Sequence, residues 1–204
     1  MGVLLVNKII SSTMQIILFS LIPLIWWLVT ARKKESFLKW IGLKQIRKEN
    51  KKSSTIGMLA ITPGYIVVSF ITLYLIKDIK TATSEFYGMG IRALLPALVY
   101  AIFNTSLPEE ILFRGFILKR IASKFGYMIA NTIQSMIFGL LHGFMFFNVL
   151  GVVKAIIIII LTGFVAFDMG YINEKKSNGS ILPSWFIHAL SNIFASVVAM
   201  FSII

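Results

Sequence analysis

A chain of 204 residues that is 57% hydrophobic and only 14% charged, with a mean hydropathy of +0.86, is not a soluble globular domain. The formal net charge of +12 suggests nucleic acid at first sight, but the Lys and Arg residues cluster in short segments beside apolar runs, as membrane topology and anionic lipid require, so no nucleic-acid partner is expected. The lack of cysteine removes disulfides, thiolate metal ligands and cysteine nucleophiles together, leaving water, a hydroxyl or a carboxylate as the nucleophile of any reaction.

Apolar runs of roughly 20 residues, enough for a helix to cross a ~30 Å hydrocarbon core, recur along the chain without the alternation of a β-barrel strand. The expected fold is all-α, a polytopic transmembrane bundle of about six helices. The first span runs from about Ile9 to Ala31, with Trp26 and Trp27 as interfacial anchors, and is too long for a signal peptide. Arg32 to Lys52 follows, with nine Lys or Arg against Glu35 and Glu49. Its charge makes it cytoplasmic, sets the N-terminus outside, and offers a surface for anionic lipid. A second span covers about Thr55 to Ile76, kinkable at Pro63-Gly64, and an external connection runs from Lys77 to Gly90.

From Ile91 to Lys124 an apolar run is interrupted by Asn104-Thr105-Ser106-Leu107-Pro108-Glu109-Glu110, resumes, and ends in the cationic Lys119, Arg120 and Lys124. Spans from Gly126 to about Phe147, from Val149 to Ile172 and from about Leu182 to Ile204 complete six crossings, with the short basic loop Asn173 to Ser180 inside and both termini outside. Lys154, near an external end, can snorkel, and Asp168, close to the cytoplasmic loop, reads as structural. Residues 1–90, two spans and a basic loop, are set apart from a core over 91–204 within one membrane domain.

Three polar constellations interrupt the apolar spans, where ionisable groups are costly and point to function. In Ser106-Leu-Pro-Glu-Glu-Ile-Leu-Phe-Arg114, Ser106 and Glu109 have capping-box spacing and Pro108 suits a first helical turn. The same segment puts Arg114 four residues after Glu110, so the pair can share a helical face and leave Glu109, roughly 100° around the helix, free. In Phe138-Gly-Leu-Leu-His142-Gly143, Phe138 and His142 lie one turn apart on a stripe continued by Asn131, Gln134 and Ser135, while Gly139 and Gly143 allow close helix approach. In Ser184-Trp-Phe-Ile-His188-Ala-Leu-Ser-Asn192, polar positions 184, 188, 191, 192 and 196 form one stripe. Interhelical hydrogen bonding alone accounts for either histidine taken singly. The co-occurrence of both histidines with a Glu pair and its Arg points instead to a convergent polar centre of Glu109, His142 and His188.

Glu-Glu-x-x-x-Arg, then Phe-x-x-x-His, then His-x-x-x-Asn, in that order on successive helices and with Phe113-Arg114-Gly115 after the Glu pair, resembles the intramembrane CAAX-protease and bacteriocin-processing (CPBP, or Abi) family over about Ser106 to Ser196. The resemblance implies a CAAX-protease-like endopeptidase whose site opens toward the cytoplasm, and it carries catalytic roles onto Glu109, Glu110, Arg114, His142, His188 and Asn192. Independently of the name, amide hydrolysis here calls for an activated water. Glu109 is expected to act as general base on a water also held by His142, with His188 and Asn192 stabilising the oxyanion and Glu110 and Arg114 bracing the helix. No cofactor is expected. The alternative is zinc held by Glu109, His142 and His188, without the His-Glu-x-x-His helix of common zinc proteases. The partner is a membrane-associated peptide or protein substrate, and the location a bacterial cytoplasmic membrane. The non-catalytic alternative is a membrane protein conferring immunity to a bacteriocin-like peptide by binding it.

Overall fold

The computed structural model describes residues 2–204, and among these residues every regular element is helical. Helix α1 spans Gly2–Thr30, a short α2 spans Phe37–Trp40, and α3 spans Lys48–Leu75. After a 3-10 turn at Ala82–Phe86 the chain is helical over Gly90–Phe125 (α4, whose first turn is also 3-10), then over Tyr127–Tyr171 (α5) and Leu182–Met200 (α6). Five of these segments are long and apolar enough to cross a membrane, and side chains such as Ile10, Leu18, Val67 and Phe144 stand exposed on them as a lipid-facing surface. α1 and α3 start before the expected spans do, at Gly2 and at Lys48.

The 45-residue α5 is two helices rather than one. Gly151, at φ 76° and ψ 172°, reverses the chain in a left-handed conformation that an L side chain rarely adopts, so that residues 152–171 run back along 127–150. Contacts follow an antiparallel register: a Cβ on Gly143 would meet the carbonyl of Ala155, one on Gly139 the carbonyl of Ile159, and one on Gly170 the side chain of Asn131. The two legs of this hairpin are the fourth and fifth of the six expected crossings. Asn131 and Gln134 fasten it, donating to the carbonyls of Phe167 (2.9 Å) and Ala166 (3.0 Å). These two amides therefore bind the partner leg, and the stripe expected to continue from His142 through them does not extend the polar centre.

The ends of the bundle differ in chemistry. At one end, Lys8 of α1 pairs with Glu85 at 2.9 Å and lies over the rings of Phe86 and Tyr100, beside Met200 of α6. At the other end the basic segment folds across the helix termini, with Trp40 and Ile41 packed on Ala31, Leu107, Ile111 and Ile181 and with Arg120 stacked 4.0 Å from the Trp40 ring centroid. There the amide of Ile181 donates to the carbonyl of Gly42 at 2.8 Å, and Lys119 joins Glu174 (2.5 Å) to the carbonyl of Gly179 (2.9 Å). All three basic segments share this end.

The hairpin depends on backbone approach at Gly139, where a Cβ would lie 2.5 Å from the Ile159 carbonyl oxygen. Gly139→Ala is expected to cost about 1–3 kcal/mol, as overpacking does, and to lower the thermal midpoint in detergent. Gly64→Ala, with nothing within 4 Å of the new Cβ, should leave the midpoint unchanged or raised.

Candidate active site

The Glu pair stands inside a helix, not at its start. Ser106 has helical φ and ψ of −63° and −52°, makes no capping bond, and donates its hydroxyl to the carbonyl of Ala101 at 2.6 Å. The capping-box reading of Ser106 and Glu109 is thereby corrected. Proline lacks an N–H and its ring collides with the carbonyl four residues back; α4 passes through Pro108 by widening into π turns at Tyr100–Ser106 and again at Ile111–Leu118. Glu109 and Glu110 occupy the single α-helical turn between them, Leu107–Glu110.

Glu110 and Arg114 have no solvent exposure, and Arg114 Nη1 lies 3.1 Å from Glu110 Oε1. The pair is a charge contact and not an aligned hydrogen bond, and the guanidinium is further held by Met169 Sδ at 3.1 Å and the Phe138 ring at 4.4 Å. The other partners of Glu110 come from α6. Ser184 Oγ donates to Oε2 at 2.5 Å, and His188 Nδ1 lies 3.0 Å from Oε1. Asn173, in the basic turn before α6, donates to Ser184 Oγ at 2.7 Å and accepts from the Ser184 amide at 3.3 Å. A relay thus runs from Asn173 through Ser184 to Glu110, and from there to Arg114 and His188. Nothing in the sequence signals Asn173, which sits among lysines in a loop.

Because a carboxylate paired with Arg114 can only accept, His188 donates through Nδ1 and turns Nε2 toward Glu109, whose Oε2 is 3.8 Å away. Glu109 Oε2 is buried with no hydrogen-bond partner. His142 Nδ1 lies 2.9 Å from the carbonyl of Phe138, another pure acceptor, so Nδ1 carries the proton and Nε2 keeps its lone pair. Phe138 separates the two imidazoles, with its ring centroid 4.3 Å from that of His142 and 6.1 Å from that of His188, and it meets Phe113 edge-on at 5.0 Å. Asn192 is otherwise engaged than expected. Its amide donates to both Thr105 Oγ1 (2.8 Å) and Ser106 Oγ (3.0 Å), tying α6 to the first π turn and leaving no N–H for an oxyanion.

His142, His188, Asn192 and Phe138 line one cavity of about 500 Å³, walled by α3, both legs of α5, α6 and residues 79–83. The structure thus brings Glu109, Glu110, Arg114 and His188 into direct contact and sets His142 across Phe138 from them. Among the described residues, no three His, Cys, Asp or Glu side chains are grouped as metal ligands, so the alternative zinc set of Glu109, His142 and His188 is not assembled in this arrangement.

The family model for the type II CAAX prenyl endopeptidase Rce1-like family matches residues 91–194, just over half of the chain, and this stretch contains all six expected site residues. No curated protein and no solved structure matches the chain.

Glu110 should be indispensable to folding, because its loss leaves the Arg114 charge uncompensated in the interior. Glu110→Gln is expected to cost about 3–5 kcal/mol, the range for breaking a buried ion pair, as read by thermal unfolding in detergent. The double variant Glu110→Gln/Arg114→Met should regain much of that loss; equal stability of Glu110→Gln and the native chain would contradict the assignment.

Proposed function

The chain belongs to the Rce1-like family of type II CAAX prenyl endopeptidases, a peptidase family, and with its apolar helices it is a multi-pass membrane protein; from that membership we propose that it hydrolyses a peptide bond of a membrane-associated peptide or protein in a bacterial cytoplasmic membrane. The observation that carries the proposal is the division of labour within the Glu pair. Glu110 is saturated by Arg114, Ser184 and His188, whereas Glu109, one residue on, keeps a buried oxygen without a partner beside His188 Nε2.

In this reading Glu109 removes a proton from water as the water oxygen attacks the scissile carbonyl carbon. The Nε2 lone pair of His142 accepts the water's second hydrogen and orients it. His188, carrying a proton on Nε2 as well as on Nδ1, stabilises the oxyanion of the tetrahedral intermediate, a contribution of up to about 3 kcal/mol per donor. The intermediate collapses as the C–N bond breaks, and Glu109 returns its proton to the leaving nitrogen. Asn192 enters as a positioning residue that holds the π turn beneath Glu109, which revises the oxyanion role first expected for it. Glu110 and Arg114 fix His188 through Nδ1 and take no part in proton transfer. No step uses a metal.

Glu109→Gln should abolish cleavage while thermal unfolding in detergent stays within error of the native chain. Mass spectrometry of membrane-associated peptides from cells carrying either form should show a defined terminus only with the native chain; the same terminus with Glu109→Gln would sink the proposal. Peptide-toxin protection that survives Glu109→Gln and His142→Ala would support the immunity alternative instead. Cleavage by purified protein should persist in a tight metal chelator, and loss of activity that stoichiometric zinc restores would replace the water-and-carboxylate mechanism.

A further inference from the structure

Helix α6 separates two cavities that share no lining residue. His188, Ser191, Asn192 and Ala195 face the cavity of the candidate site, while Leu182, Trp185, Leu190 and Ile193 face an apolar groove of about 460 Å³ on the other side. To that groove α3 adds Met58, α4 adds Ile102, and the segment joining α2 to α3 adds Ile46. The one side-chain hydrogen-bond donor in its wall, the indole N–H of Trp185, is spent on the carbonyl of Ile102 at 2.9 Å. A polar ligand would therefore go unpaired along this wall, and hydrocarbon would not.

From Leu182 to Ile193 the groove follows α6 for roughly 16 Å at 1.5 Å per residue, about half of a ~30 Å hydrocarbon core and so the depth of one leaflet. Only one end carries charge. There Ile46 lies between Lys44 and Arg47, and α3 begins at Lys48. The backbone of Lys44 is pinned beside the start of α6, its carbonyl accepting the Ser180 hydroxyl at 2.6 Å. Among the described residues none of these three cations is in an ion pair, whereas Lys8 and Lys119 each meet a glutamate. Burial, and then the nearby Lys119, pushes the Lys44 ammonium below the ordinary lysine range, a shift that a neighbouring anion would oppose.

We propose that the groove holds one acyl chain of an anionic phospholipid, with its phosphate met by Lys44, Arg47 and Lys48. A leaflet-deep apolar slot ending under unpaired cations fits both parts of such a lipid. A peptide would leave backbone groups unpaired against the wall, and a second copy of a chain of net charge +12 would bring like charge to the rim. Bound there, the lipid packs α3 and α4 against the face of α6 opposite His188. The assignment does not depend on the peptidase reading.

The full chain is reconstituted in vesicles of phosphatidylethanolamine and phosphatidylglycerol, with a trace of phosphatidylglycerol carrying a diazirine near the end of one acyl chain. After illumination, mass spectrometry should place the adducts on Met58, Leu190 and Ile193, and Leu190→Trp or Ile193→Trp, which fill the groove, should remove them. Labelling spread along the lipid-facing sides of α1 and α5 with no excess at the groove would overturn the proposal. The same diazirine chains on phosphatidylcholine should label the groove less, and Arg47→Gln or Lys48→Gln should each weaken phosphatidylglycerol labelling by about fivefold, the effect of one cation on an anionic headgroup. Equal labelling by both headgroups, or by native and substituted chains, would remove the phosphate from the assignment and overturn it. Because Arg47 and Lys48 are exposed, these variants carry the test if neither Trp variant accumulates. Labelling that is lost when a cleaved membrane-associated peptide is added would give the groove to that substrate, and labelling that falls as protein density in the vesicle rises would give it to a second copy; either result replaces the phospholipid.

Discussion

A carboxylate with no solvent exposure, buried between α4 and α6, is the constraint around which this protein is arranged. Glu110 is tolerable there only because Arg114, Ser184 and His188 converge on its two oxygens. Arg114 comes from the same helix and the other two from the last one, so meeting the charge also fixes how α4 and α6 pack. Asn173 extends the demand into the basic turn, and that turn is clamped in its place by Lys119, Glu174 and Gly179. One buried charge thereby organises both the centre of the bundle and its basic end.

The same constraint sets the chemistry. His188 is held through Nδ1 by a group that can only accept, which directs Nε2 at Glu109; His142 is held through Nδ1 by the Phe138 carbonyl, which leaves its Nε2 as an acceptor. Phe138 keeps the imidazoles apart and gives its ring face to Arg114, so one aromatic side chain serves the ion pair and the cavity together. His142 reaches this position only because the hairpin legs touch backbone to backbone at Gly139 and Gly143. Glycine there is a condition for the site as much as for the fold.

The distorted stretch of α4 explains why the Glu pair can sit in mid-helix at all. A proline one residue before the pair would kink a regular helix, and the two π turns absorb it while freeing hydroxyls at Thr105 and Ser106 to receive Asn192. The helix is therefore irregular where the carboxylates must be placed, and α6 is tied to that irregularity. The cavity beside this network takes none of its lining from the basic segments, and a separate apolar cavity of about 460 Å³ lies by Ile46, Leu182 and Pro183.

Composition and spacing by themselves determined that the chain is an all-helical membrane bundle, that its basic segments share one end, and that Glu109, Glu110, Arg114, His142, His188 and Asn192 belong to one region, since hydrophobic run length and helical periodicity are local properties of a sequence. The Glu110–Arg114 contact was legible because it lies within a single helix. The partners of Asn192, the part of Asn173, the diversion of Asn131 and Gln134 to the hairpin, and the unbroken path of α4 through Pro108 were not legible, because each depends on which helix faces which, and at what height. Only the tertiary structure decided those matters, because polar groups in an apolar medium take whichever partner the packing brings within reach.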